Sequence, residues 1–147
     1  MDGPSRVGRT VLHSDGDGRH LIRLGRDDHT IRMDGPTVYK YAVRSMTEVT
    51  REVLEQDGLS QDDIDLFVYH QANSRIIAAV GHRLGLPTDR VVDVLADYPN
   101  TAAASLPIAL AAARAAGRLH DGDRVLLSAF GAGMVWGALV MQWGASS

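Results

Sequence analysis

From Pro36 onward the spacing of apolar residues switches repeatedly between a helical period and short unbroken runs, and this alternation constrains the fold more than any other feature of the chain. Val38, Ala42, Met46, Val49 and Val53 recur three to four residues apart, with Arg44, Glu48, Arg51, Glu52 and Glu55 on the other side, the pattern of an amphipathic helix. Pro36 suits its first turn and Asp57-Gly58 its stop. Ser60 followed by Asp63 predicts a short helical turn, and Leu66-Phe67-Val68-Tyr69 a compact buried strand with His70 at its exit. Asn73 can cap a second helix, whose stripe of Ile76, Ile77, Val80 and Leu84 closes at Gly85 just ahead of Pro87. Val91-Val92-Asp93-Val94 reads as a short strand. Residues 102–117 read as an alanine-rich helix, in which Pro107 removes one backbone hydrogen bond. Residues 124–130 and 134–143 form two apolar strands, an antiparallel pair joined by Gly131-Ala132-Gly133.

Upstream of Pro36, Val7, Val11, Leu12, Leu21, Ile22, Leu24 and Ile31 flank Ser14-Asp15-Gly16-Asp17-Gly18, which predicts short strands joined by glycine turns. Asp15-Gly16-Asp17-Gly18 lacks the alternating ligands and distal glutamate of a calcium loop, so it reads as a plain turn, and no metal site is expected. The element order is therefore β-α-β-α-β-α-β-β: an α/β fold with a mixed five-stranded sheet and helices packed on its faces.

The chain has 147 residues, 45% of them hydrophobic and 22% charged, enough for one ordinary core over residues 1–147. Its 15 basic and 18 acidic side chains give no global reason to expect nucleic-acid binding. The absence of cysteine excludes disulfides, thiolate metal sites and a cysteine nucleophile from this chain. The first residues do not pair a basic segment with an apolar run, and the run at 134–141 falls far short of the roughly 18 to 20 residues that span a bilayer. A cytoplasmic protein without membrane partners is the expectation.

Three places could carry chemistry, all at strand exits. His70, in Tyr69-His70-Gln71-Ala72-Asn73, can serve as hydrogen-bond donor, acid or base. Asn100, in the loop that opens the alanine-rich helix, can donate its amide to an oxyanion, aided by the positive end of the helix. The small residues of Phe130-Gly131-Ala132-Gly133 admit a ligand close to backbone N–H groups. Taken singly, each has a plainer reading: a core histidine satisfied by a backbone partner, a helix cap, a tight hairpin. The glycine spacing ending at Gly137 is not the dinucleotide fingerprint, and it precedes a strand instead of a helix.

Taken together, the three resemble the carboxyl-terminal half of a β-ketoacyl-acyl-carrier-protein synthase III of the thiolase fold. The resemblance is carried by His70-Gln71-Ala72-Asn73 with Arg75-Ile76-Ile77, by Asn100-Thr101 with Ala103-Ala104-Ser105-Leu106-Pro107, and by Ala129-Phe130-Gly131-Ala132-Gly133 with Trp136-Gly137. It implies an acyltransferase that loads an acyl group from coenzyme A onto a cysteine and condenses it with malonyl-acyl-carrier protein, in fatty-acid or polyketide biosynthesis. By the match, His70 and Asn100 are the two donors to the malonyl thioester oxygen, and the Ala132 N–H is one arm of the oxyanion hole for acyl transfer. Asn73, Phe130 and Gly131 would line the substrate channel. Lys40 and Arg75 match positions that help dock the acidic carrier protein and its phosphopantetheine phosphate, and on the strength of the resemblance His82 and Arg83, beside Arg75 on the same helix, are expected to add to that docking face. The last three also fall within about 100° on one helix, which alone would read as a solvated basic face.

The nucleophile expected by the resemblance belongs to an amino-terminal, cysteine-bearing half that this chain lacks, so a separate chain or removed segment is the expected partner, the complete enzyme being a dimer. No permanently bound cofactor is implied; acyl-coenzyme A and phosphopantetheine thioesters are substrates. Pro99 and Ala102 depart from the glycine and serine usual beside the asparagine, and Ala132 stands for a more usual glycine. A non-catalytic carrier-protein-binding or dimerisation module, or an acyltransferase acting on a non-carbon nucleophile, remain the alternatives.

Overall fold

The computed structural model describes residues 6–144. Met1 to Ser5, which carry most of the segment read above for a leader, lie outside them, as do residues 145–147. The elements are β1 (Arg6–Ser14), β2 (Ile22–Leu24), β3 (Ile31–Met33), α1 (Gly35–Asp57), β4 (Leu66–Tyr69), α2 (Ser74–Leu84), β5 (Val91–Val92), α3 (Ser105–Ala115), β6 (Arg124–Gly131) and β7 (Val135–Gln142). Five strands form one mixed sheet in the order β1-β7-β6-β4-β5, and β2 and β3 form a separate antiparallel ribbon. β4 runs parallel to both β5 and β6, whereas β7 is antiparallel to β6 and to β1.

The sheet is covered on both faces, and the strand sequences follow from that. Phe67 and Tyr69 of β4 and Leu126 and Phe130 of β6 join Val38, Ala42, Met46, Val49 and Val53 of α1 and Ile77, Val80 and Leu84 of α2 in one core. Leu66, Val68 and Val125 point the other way and pack with Ala109, Leu110 and Ala113 of α3. A strand buried on both faces has no polar side to alternate, which is why β4 reads as an unbroken apolar run. Asn73 caps α2 by accepting the Arg75 N–H at 2.9 Å, and Gly58 and Gly85 close α1 and α2 in the left-handed conformation.

Four details differ from the sequence reading. The short strands expected upstream of Pro36 do not all pair locally, since β1 pairs with β7 while β2 pairs with β3. Of Val91-Val92-Asp93-Val94 only the first two residues are in the strand, and beyond them the Val94 N–H is taken by the Gln71 side chain at 2.9 Å. The alanine-rich stretch is divided into a 3-10 turn at Ala102–Ala104 and α3 proper. Pro107 consequently lies in the first turn of α3, where no intrahelical partner for its nitrogen exists, and it costs no hydrogen bond.

Candidate active site

His70 follows directly on β4, and its N–H donates to the Ser128 carbonyl at 2.8 Å, extending the parallel ladder by one residue. Side chains alternate along a strand, so His70 shares the Val68 side, toward α3. There its Nδ1 lies 2.6 Å from the hydroxyl of Ser105, the first residue of α3. Ser105 is 2% exposed, and its Oγ also accepts the Gln71 N–H at 3.3 Å. A buried hydroxyl proton requires an acceptor, and Nδ1 is the one within reach. This assigns the imidazole proton to Nε2, which makes no hydrogen bond among the described residues and is left as a donor. Burial also holds the His70 pKa below the ordinary histidine value, so the ring is neutral at neutral pH.

Gln71 is the strut of this corner. It is 1% exposed, and its amide nitrogen donates to the carbonyls of Tyr69 at 2.7 Å and Val92 at 3.1 Å, while its oxygen accepts from Val94. The exits of β4 and β5 are thereby fixed to each other.

Asn100 stands five residues ahead of α3, so it is not at the helix start that the sequence suggested. Its Oδ1 accepts the Ala102 N–H at 3.0 Å in a local turn, which orients the amide so that Nδ2 is left as the donor. Ala102 holds a positive φ of 51°, a left-handed conformation that costs a non-glycine residue about 1 to 2 kcal/mol. Such strain persists where the surroundings over-determine the backbone.

The third element is the turn between β6 and β7. Gly133 has φ 141°, accessible to glycine, whereas Ala132 does not have a positive φ and tolerates its methyl group. The Ala132 N–H makes no hydrogen bond among the described residues, and Ala132 is exposed.

His70, Asn73, Arg75, Asn100, Phe130, Gly131 and Ala132 all line one open cleft of about 1570 Å³. Phe130 is largely a core residue, tilted against Tyr41 with ring centroids 5.7 Å apart. Lys40, His82 and Arg83 are exposed on α1 and α2 but outside the cleft lining. Sequence reasoning missed the parts played by Ser105 and Gln71. Their signal was weak: a lone serine in an alanine run, and a glutamine wedged between two named site residues. Among the described residues, no cluster of side chains is suited to hold a metal ion, and no helix is long and apolar enough to cross a membrane.

Residues 54–143 match the family described as 3-oxoacyl-(acyl-carrier-protein) synthase III C terminal. The chain is 48% identical over 140 residues to β-ketoacyl-acyl-carrier-protein synthase III 2 of Streptomyces coelicolor, covering 95% of this chain and 42% of that protein. It is 53% identical over 116 residues to the synthase III of Symbiobacterium thermophilum, covering 79% of this chain and 35% of that one. Among solved structures, the synthase III of Thermus thermophilus superimposes with a TM-score of 0.88 at 44% identity, over 95% of this chain and 47% of that chain. That of Aquifex aeolicus gives 0.91 at 38% identity, over 97% and 46%. The chain thus spans about a third to a half of the length of these relatives. On this match and the shared thiolase-like sheet, the chain belongs to the β-ketoacyl-acyl-carrier-protein synthase III family and corresponds to its C-terminal half.

Proposed function

We propose that this chain supplies one side of a condensing active site, completed by a cysteine-bearing domain, that joins an acyl thioester to malonyl-acyl-carrier protein by decarboxylative Claisen condensation in the cytoplasm. The observation that carries this reading is that three unpaired donors, His70 Nε2, Asn100 Nδ2 and the Ala132 N–H, line the same cleft.

The chemistry needs donors of this kind. When the malonyl carboxylate leaves as carbon dioxide, its bonding pair passes into an enolate whose charge gathers on the thioester oxygen. Two fixed neutral donors, His70 and Asn100, stabilise that charge more than the ground-state carbonyl. The enolate carbon then attacks the acyl carbon held on the cysteine, a carbon–carbon bond forms, and the thiolate leaves. The Ala132 N–H serves the tetrahedral intermediates of acyl transfer, in the loading of the cysteine from acyl-coenzyme A and in the condensation. Asn73, Phe130 and Gly131 border the path of the pantetheine arm. Arg75 at the cleft and Lys40, His82 and Arg83 outside it offer positive charge to an acidic carrier protein.

The exposed apolar side chains agree with a covering domain. Leu12 is 76% and Ile31 72% exposed, and both border the cleft beside Met33 and Val135. Contiguous apolar surface of this kind is characteristic of an interface; the cysteine-bearing half is the occupant this reading requires, with a dimer as the complete enzyme.

The test is to assemble the chain with the cysteine-bearing domain and to measure acyl loading and malonyl decarboxylation separately. His70→Ala and Asn100→Ala are each expected to slow decarboxylation by about 10²- to 10³-fold. Decarboxylation untouched by His70→Ala would refute the assignment. Carrier-protein binding without turnover would identify a docking module instead.

A further inference from the structure

The glycine-rich turn at Asp15-Gly16-Asp17-Gly18, which the sequence offered as a plain connector, touches the loop that presents Ala132. Met134, two residues beyond Ala132, is fully buried, and its main chain is paired reciprocally with Asp15: Asp15 N–H to Met134 O at 2.8 Å, Met134 N–H to Asp15 O at 2.7 Å. The Met134 side chain packs onto Gly18, where a β-carbon would stand 2.5 Å from its Cγ. Gly18 is thus the seat for Met134, and space, not turn geometry, calls for glycine there.

Asp15 is itself braced. One carboxylate oxygen accepts the Asp17 N–H at 2.9 Å and the other accepts the hydroxyl of Tyr41, on α1. The Tyr41 ring meets Phe130 at 5.7 Å and Trp136 at 5.8 Å, the residues on either side of the β6–β7 loop, and the Arg44 guanidinium lies 4.9 Å from its ring centre. One side chain therefore contacts both stems of the loop and the residue that clamps its far end. The hydrogen bond from Tyr41 also holds the Asp15 carboxyl below the usual carboxylate range, which keeps it ionised as an acceptor.

We propose that Asp15 and Tyr41 are positioning residues that, with Gly18 as the seat for Met134, fix the Gly131-Ala132-Gly133 loop so that the Ala132 N–H is held ready for an oxyanion. The proposal rests on the oxyanion reading given above for its chemical consequence, but the clamp itself is a property of this chain. A preorganised donor pays no reorganisation at the moment of reaction, whereas displacement by about 1 Å costs up to about 100-fold.

The experiment uses Tyr41→Phe, which removes the hydroxyl and keeps the ring, with Gly18→Ala as a second, independent perturbation of the seat. Amide exchange at Ala132–Met134 is read in this chain, and acyl loading and malonyl decarboxylation are read in the assembly with the cysteine-bearing domain. Both variants are expected to speed exchange in the loop and to slow loading about tenfold, while decarboxylation, which relies on His70 and Asn100, stays within about twofold. Unchanged loop exchange in both folded variants, or equal loss of both steps, overturns the proposal, the latter pointing to general structural damage. Ala132→Pro, which deletes the donor, separates the two ideas. If it leaves loading intact while Tyr41→Phe still frees the loop, the oxyanion reading fails and the clamp stands. If it abolishes loading and Tyr41→Phe changes neither measurement, the clamp fails and the oxyanion reading stands.

Discussion

The Nδ1 atom of His70 and the hydroxyl of Ser105 are 2.6 Å apart across 35 residues of chain, so the start of α3 sets the proton position on a ring carried by the end of β4. Replacing Ser105 by alanine removes the group that selects the Nε2–H form and leaves the buried Gln71 N–H without its acceptor. Ser105→Ala is expected to slow decarboxylation about tenfold, the worth of roughly one hydrogen bond, and to shift the His70 ring toward a mixture of tautomers. Nitrogen chemical shifts of the ring report the tautomer directly. An unaltered ring spectrum in a folded variant would sink the assignment.

Protonation of His70 gives a signed expectation. Burial depresses its pKa in the folded chain below the ordinary value of 6.5, so between the two values the unfolded chain binds more protons. The stability contributed by neutral His70 is complete above about pH 6.5 and is lost as pH falls through the depressed folded value. The difference in unfolding free energy between the protein and His70→Gln should therefore shrink on acidification from pH 7, as read by urea titrations on both. A difference that stays constant over that window contradicts it.

Asn100 separates donor from acceptor. Asn100→Asp preserves the oxygen that accepts the Ala102 N–H but replaces the amide donor by a negative charge facing the enolate. It is expected to impair decarboxylation more than Asn100→Ala does, beyond the roughly 10²- to 10³-fold cost of deleting one donor. Steady-state decarboxylation of malonyl thioester by the assembled protein gives the order of the two.

Asn73 holds the start of α2 through the Arg75 N–H. Asn73→Ala should lower stability by about 1 kcal/mol, whereas Asn73→Asp, which retains a capping oxygen, should stay within a few tenths. Chemical denaturation distinguishes the two, and equal losses would mean that the cap is not the cause.

The exposed cations of α1 and α2 should act at long range. Association with an acidic carrier protein is expected to slow as ionic strength rises, because screening shortens from about 10 Å at 0.1 M to about 3 Å at 1 M salt. Arg75→Ala and Arg83→Ala should flatten that salt dependence in stopped-flow binding; a slope unchanged in both removes the basic face from the docking reading.

The helices α1 and α2 and the strands β4, β6 and β7 were legible because each carries a period that burial imposes and turn residues that close it. The break before α3 was not, since alanine suits a 3-10 turn and an α-helix alike and nothing in Ala102-Ala103-Ala104 marks the change. Nor was the pairing of β1 with β7, because register between distant strands is set by tertiary packing and no local turn announces it. Of the candidate site, His70, Asn100 and Ala132 stand out in the sequence as residues at strand exits, and their proposed roles come from the resemblance of the three motifs taken together. Ser105, Gln71, Tyr41 and Asp15 act through other residues, and contacts made across 21 to 35 positions leave no pattern in a linear sequence.

The antiparallel pairing of β1 with β7 also has a meaning for synthesis. At translation rates of about 5 to 20 residues per second, the 121 positions from Ser14 to Val135 separate β1 from the strand it pairs with in the large sheet by roughly 6 to 24 seconds. During that interval the apolar side chains of Val7, Val11 and Leu12 have no native strand to join, and the reciprocal bonds between Asp15 and Met134 do not exist. The nascent chain thus carries an unpaired β1 until β7 is made, a period when misjoining competes with folding and, for most of which, the Ala132 loop has not been synthesised.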